Sequence, residues 1–293
     1  MFELLVLAIA PAIFIAWYLY RKDRYEPEPL HLLAGVFFLG ALSVIPAALL
    51  ELPFDSTIFT SAVIAPLVEE CLKFSVVFFV MYRNPEFDEP MDGIVYAAAA
   101  GLGFATIENI FYVLDGGVAV GILRAVASVP GHVIFSCIWG FALGRAKFWP
   151  ASQRGGIIFT GLAGAILLHG IFNFSLEYFE LLGLIMILVV MIPLGWWVTC
   201  RNIRCAHEDP ASACSVMNRA VSNNPSPLIA MLPDNPADLH ADRYIPLVQD
   251  PGVDRVPGSR PEGKIARVFC TRCGLPVREG IRFCENCGRI IER

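Results

Sequence analysis

Two adjacent glutamates, Glu69 and Glu70, stand in an apolar run that begins at Ile64, and Lys73 follows them at i+4 and i+3. A carboxylate at bilayer depth costs about 2.5–3.5 kcal/mol or more. A chain that places two there, and adds Glu108, His132, His169 and Asn173 in other apolar segments, uses them together. A carboxylate can deprotonate water as a general base, and His and Asn can donate hydrogen bonds to the oxyanion of a tetrahedral intermediate. That set suffices for amide hydrolysis without a covalent nucleophile. Glu69 is the expected base, because it shares a helix stripe with Ser61 and Ala65. Glu70 and Lys73 would orient it, Glu108 and His132 would position water, and His169 and Asn173 would hold the oxyanion. The sequence has no Gly-x-Ser-x-Gly, no His-Glu-x-x-His and no intramembrane Asp pair, so serine, HExxH-type zinc and aspartyl mechanisms lack support. The same residues also suit a metal held by His132, His169 and a glutamate from separate helices.

Helical spacing decides whether these groups can meet. Ser61, Ala65, Glu69 and Lys73 recur every four residues and share one face, with Glu70 about 100° away. Lys73 can pair with either glutamate. Ala97, Gly101 and Ala105 form a small-residue stripe that lets a neighbouring helix approach closely, and Glu108 returns to the same angle. Ser128, His132, Ser136, Gly140 and Gly144 are spaced by four throughout, as are Gly161, Ala165, His169 and Asn173. Four stripes, each with an ionisable residue, predict a common polar cavity. Arg124 is expected to snorkel to headgroups, and Asp92 to cap a helix.

The elements that position these stripes are membrane spans. The chain is 56% hydrophobic and 17% charged over 293 residues, with mean hydropathy +0.60, a membrane-protein composition. A net charge of −5 argues against a nucleic-acid partner. A helix needs about 20 apolar residues to cross the hydrocarbon. This predicts an all-α polytopic protein with about seven spans, at 2–20, 30–50, 57–82, 91–114, 118–144, 155–176 and 179–200. Basic residues follow spans one, three, five and seven, whereas Glu51–Ser56, Asp115–Gly117 and Glu177–Tyr178 have none. That alternation places the N-terminus outside and the C-terminus in the cytoplasm of a multi-pass protein of the cell membrane.

Residues 1–205 are thus read as the transmembrane domain, and the Pro-, Ser-, Asn- and Asp-rich stretch 206–266 as a flexible linker. In residues 267–293, Cys270-x-x-Cys273-Gly and Cys284-x-x-Cys287-Gly have the spacing of a closed four-thiolate structural zinc site, a zinc ribbon. Such a site leaves no coordination position open for catalysis.

Glu69-Glu70-x-x-Lys73, Phe104-x-x-x-Glu108-Asn109, His132 and His169-x-x-x-Asn173 together resemble the PrsW family of intramembrane proteases, related to the CAAX-prenyl protease and Abi superfamily. Glu108 stands where those wider relatives carry His. The resemblance covers about residues 1–200. It implies a multi-spanning peptidase, described as glutamic-type or as a metallopeptidase, whose substrates are membrane-anchored proteins such as anti-sigma factors. Two other readings stand beside it. One is a transporter or channel using the same groups as an ion path. The other is a membrane anchor for a zinc ribbon that recruits a partner.

Overall fold

The structure, a computed structural model, describes residues 2–23, 27–209, 268–269 and 276–277. Helix α1 spans Phe2–Tyr20, and α2 (Leu30–Leu42) runs into α3 (Val44–Glu51). A π-helical turn, Thr60–Ile64, leads into α4 (Ala65–Val80). Then come α5 (Pro90–Val126), α6 (Ser128–Phe148) and α7 (Ala151–Met186). A second π-helical turn, Ile187–Met191, opens α8 (Ile192–Glu208), which runs past Cys205. Far along the chain β1 (Val268–Phe269) pairs antiparallel with β2 (Pro276–Val277), on either side of the first Cys-x-x-Cys. The four cysteines themselves, and the linker from 210 on, lie outside the described residues.

Among the described residues four helical stretches are long and apolar enough to cross a membrane: Glu3–Tyr20, Leu30–Glu51, Pro90–Phe148 and Ala151–Glu208. Helix α4 does not meet that measure by itself, since its 16 residues include Glu69, Glu70 and Lys73, although with the π-helical turn before it the helical run covers 60–80. The last two stretches fold back on themselves. Gly117 has φ 72°, and Arg124 reaches Glu108 at 2.9 Å although a straight helix would separate them by about 24 Å. The chain therefore reverses at Gly117, in a conformation glycine adopts without strain. It reverses again at Glu180, whose φ of 46° is rare for a residue with a side chain.

These turns correct two boundaries. The expected fifth span, 118–144, is a short return arm at 118–126, a break at Ala127, and a helix that starts at Ser128. The expected outer loop at Glu177–Tyr178 is helical, and the turn falls at Glu180. Hydropathy alone located both reversals only to within a few residues, because apolar sequence continues through them.

Polarity is arranged inside out. Phe14, Phe38, Phe79, Phe159, Leu181 and Val189 are exposed, whereas Glu70, Lys73 and Asp92 are fully buried. Lipid satisfies the first group and the helix bundle must satisfy the second. Helix α5 is the centre: it packs against α1, α2 and α6, and α6 in turn packs against α7 and α8. The predicted small stripes are what let α5 and α6 touch. A Cβ on Gly140 would overlap the Gly93 carbonyl and the Ala97 methyl, and one on Gly101 would overlap Ser136. Replacing Gly140 by Leu should therefore cost about 1–3 kcal/mol of overpacking. That is a fall of about 3–10 °C in the Tm of detergent-purified protein. Gly164→Leu, where nothing lies within 4 Å, should leave Tm unchanged.

Candidate active site

The site is assembled where α4, α5, α6 and α7 meet. Pro66 sits in the first turn of α4 and lacks an N–H, so it cannot bond the Ala62 carbonyl four residues back. That carbonyl lies instead against Gly170, where any Cβ would overlap it. The close contact brings α7 onto α4 and places His169 beside the paired glutamates.

At the centre is Lys73, with no exposed surface. An ammonium has three hydrogens to donate. Lys73 Nζ lies 3.2 Å from Glu69 Oε2, 2.7 Å from Glu70 Oε1 and 3.0 Å from His132 Nδ1, with the Phe104 ring 4.3 Å away on a further side. Because lysine only donates, His132 Nδ1 must accept, and the imidazole hydrogen resides on Nε2. That nitrogen faces Glu108 Oε2 at 2.8 Å. Glu108 is also paired with Arg124 at 2.9 Å, and Arg124 Nε donates to Asn109 Oδ1 at 2.7 Å.

The two neighbouring glutamates have different surroundings. Glu70 is fully buried and accepts from Lys73, from His169 Nδ1 at 3.0 Å and from the Trp139 indole at 2.9 Å. Glu69 keeps 7% of its surface exposed, and Lys73 and His132 are its recorded polar neighbours. It lines a cavity of about 670 Å³ together with Ser61, Glu108, His132, His169 and Asn173. Neither Glu70 nor Lys73 is part of that lining. The His169 ring stacks on Phe135 with centroids 4.7 Å apart, and Asn173 Nδ2 donates to the Ser61 carbonyl at 2.9 Å. Ser61 in turn donates to Glu177.

All seven residues singled out from the sequence thus meet in one cluster and its adjoining cavity. Sequence reading missed Trp139, although it lies seven residues after His132 and so on the same face of α6. It missed Glu51, which lines the cavity from the end of α3 and carries no periodic signal. The expectation for Arg124 is overturned. It points inward to Glu108 because the return arm after Gly117 carries it back over the site. Residues Glu69, Glu70, His132 and His169 also bring one donor atom each to within 4.8 Å of one another.

Residues 28–198 match the family model described as PrsW family intramembrane metalloprotease, and residues 269–291 match that of a zinc-ribbon domain. The chain is 39% identical over 210 residues to the protease PrsW of Geobacillus kaustophilus, covering 70% of this chain and 92% of that one. It is 37% identical over 215 residues to the Oceanobacillus iheyensis protease PrsW, covering 71% and 98%. To that of Bacillus subtilis it is 34% identical over 214 residues, covering 71% and 97%. No solved structure matches. With a buried glutamate–lysine–histidine cluster set among apolar helices, and with relatives aligned over nearly their whole length, the chain belongs to the PrsW family of intramembrane proteases.

Proposed function

We propose that this chain cleaves a peptide bond of a membrane-anchored protein, such as an anti-sigma factor, with Glu69 as the general base that activates water. The inequality of the two glutamates carries this reading. Glu70 is sealed and held by three donors, whereas Glu69 faces the cavity from beside the same ammonium. Lys73 pairs with both carboxylates away from bulk water, and Glu70 serves as the fixed counter-charge.

Charge balance suggests how the other groups act. Glu69, Glu70 and Glu108 face Lys73 and Arg124, leaving one negative charge in excess when both imidazoles are neutral. A proton on His169 closes that sum and gives Nε2 a hydrogen for the oxyanion, beside the second N–H of Asn173. The His132–Glu108–Arg124 chain holds the attacking water on the other side. Glu69 takes the proton as the oxygen of water bonds to the scissile carbonyl carbon, and returns it to the leaving amine as the tetrahedral intermediate collapses.

The family description implies a metal, and the donor types suit one. The arrangement does not. Lys73 Nζ occupies the space between Glu69, Glu70 and His132, and His132 already engages both ring nitrogens. A divalent ion and an ammonium cannot share that volume.

The helices support seven crossings: α1, α2–α3, residues 60–80, 90–116, α6, residues 151–179 and residues 181–208. With the basic loops inside, the cavity opens outward, at the end where α3 meets α4 and where the chain reverses at Gly117 and Glu180. The C-terminal ribbon is a separate cytoplasmic module, closed by zinc on Cys270, Cys273, Cys284 and Cys287, and the linker before it starts after α8 at Glu208 rather than at the expected residue 206.

Glu69→Gln should reduce cleavage of a single-span test substrate by about 10²–10⁴-fold. It should leave Tm near that of the parent, and retained cleavage would refute the role. Glu70→Gln should instead lose both activity and Tm, because breaking a buried ion pair costs about 3–5 kcal/mol. The metal question is tested in a variant with all four ribbon cysteines replaced by Ser. A strong chelator should leave its cleavage rate unchanged, and a loss restored by added zinc would assign catalysis to a metal.

A further inference from the structure

A second buried acidic group lies at the other end of α5, sixteen residues before Glu108, about 24 Å along the helix. Asp23 and Glu28 come from the connection between α1 and α2, Glu89 precedes α5, and Asp92 is in its first turn. Asp23 and Glu28 are 3% exposed, and Glu89 and Asp92 are fully buried. The protein satisfies some of their oxygens. Asp92 Oδ2 accepts the N–H groups of Asp88 and Glu89 at 2.6 and 2.7 Å, and the Tyr96 hydroxyl donates to Glu28 Oε2. Among the described residues five others, Asp23 Oδ1 and Oδ2, Glu89 Oε1 and Oε2 and Asp92 Oδ1, are buried without a donor in full hydrogen-bond geometry, although the Asp92 N–H faces the Glu89 carboxylate in a capping box and the Glu28 N–H faces Asp23.

Asp23 lies within side-chain hydrogen-bonding reach of Glu89, and Glu28 within that of Asp92, so the four acids face each other in two carboxyl pairs. Among the described residues none of the four pairs with a Lys or Arg. Lys147 on α6 donates to the carbonyls of Asn84 and Phe87. Burial pushes Asp23 and Glu28 up to about 7 and Glu89 up to about 8, which shows how strongly the fold resists bare negative charge there.

We propose that Asp23, Glu28, Glu89 and Asp92 bind a hard divalent cation, Mg²⁺ or Ca²⁺, that clasps the α1–α2 connection to the start of α5. The donors are all oxygen, the set such ions prefer, with no imidazole or thiolate to favour zinc or copper. Among the described residues the donors are too few for these oxygens, and a cation satisfies several at once while screening each carboxylate from its neighbour. The site is separate from the catalytic cavity and does not depend on the protease reading.

The test uses full-length protein in detergent, stripped with chelator and returned to Mg²⁺ or Ca²⁺. At about a hundredfold excess over Kd, Tm should rise by about 5–10 °C. Asp23→Asn and Glu89→Gln should each lose that rise, and Glu69→Gln should keep it. Terbium supplies a direct readout, because Tyr96 beside Glu28 can sensitise its luminescence. Emission should appear in the parent, be displaced by Ca²⁺ and fall in Tyr96→Phe, which keeps all four carboxylates. A parent Tm indifferent to both ions, a full shift in Asp23→Asn or Glu89→Gln, or undiminished emission in Tyr96→Phe would overturn the assignment.

Discussion

One ammonium holds the site together. Lys73 Nζ has three hydrogens and meets three acceptors, on α4 itself and on α6, with no exposed surface left. A lone buried ammonium or carboxylate is far too costly to persist in hydrocarbon. Grouping them lowers that cost only if every charge is matched and every hydrogen placed, which makes the geometry exacting. The consequences spread outward from there. Because Lys73 can only donate, His132 Nδ1 accepts, Nε2 carries the hydrogen, and Glu108 Oε2 lies 2.8 Å from that nitrogen. Glu108 then requires Arg124, and Arg124 can reach it only because the chain reverses at Gly117.

The helices have to come unusually close for such short contacts to form. Lipid tails are as apolar as leucine, so no hydrophobic gain pulls the helices together. Small residues do the work. The Gly93, Ala97 and Gly101 face of α5 meets the Ser136 and Gly140 face of α6 with no room for a further methyl. Gly170 does the same for α7 against the freed carbonyl of Ala62. The aromatic residues finish the enclosure. Trp139 both seals and hydrogen-bonds Glu70, Phe135 stacks on His169, and Phe104 lies against Lys73. The dry side of the cluster is thus built from rings and the wet side from the cavity, and that separation makes Glu69 and Glu70 chemically unlike.

Much of this was legible in the chain because the information was local. Spacings of four put Ser61, Ala65, Glu69 and Lys73 on one face and His169 with Asn173 on another, and the i+3 and i+4 relation of Lys73 to the glutamates survives in the structure. Charge in apolar sequence was the strongest signal, since burying it at random is prohibitive. What escaped was non-local. The inward turn of Arg124 depends on a reversal within continuous apolar sequence, and the headgroup reading followed from treating 118–144 as one straight span. Glu51 enters the cavity from a helix end, with no periodicity to mark it. Trp139 was within reach, seven residues from His132, but a buried tryptophan reads as core until its indole is seen against a carboxylate.

Helix α5 places two carboxylate groups about 24 Å apart and treats them oppositely. At the Glu108 end the chain supplies its own cations, Arg124 and Lys73, and each acid has a basic neighbour. At the Asp92 end the described residues supply backbone amides and one tyrosine, and leave five oxygens without a donor in full hydrogen-bond geometry. Glu108 keeps 20% of its side-chain surface exposed and Asp92 none, so solvent does not satisfy the acids at the Asp92 end. A fold that matches charge so closely at one end of a helix has the means to do so at the other. Four acids set against each other there are better understood as ligands whose counter-charge comes from outside the chain.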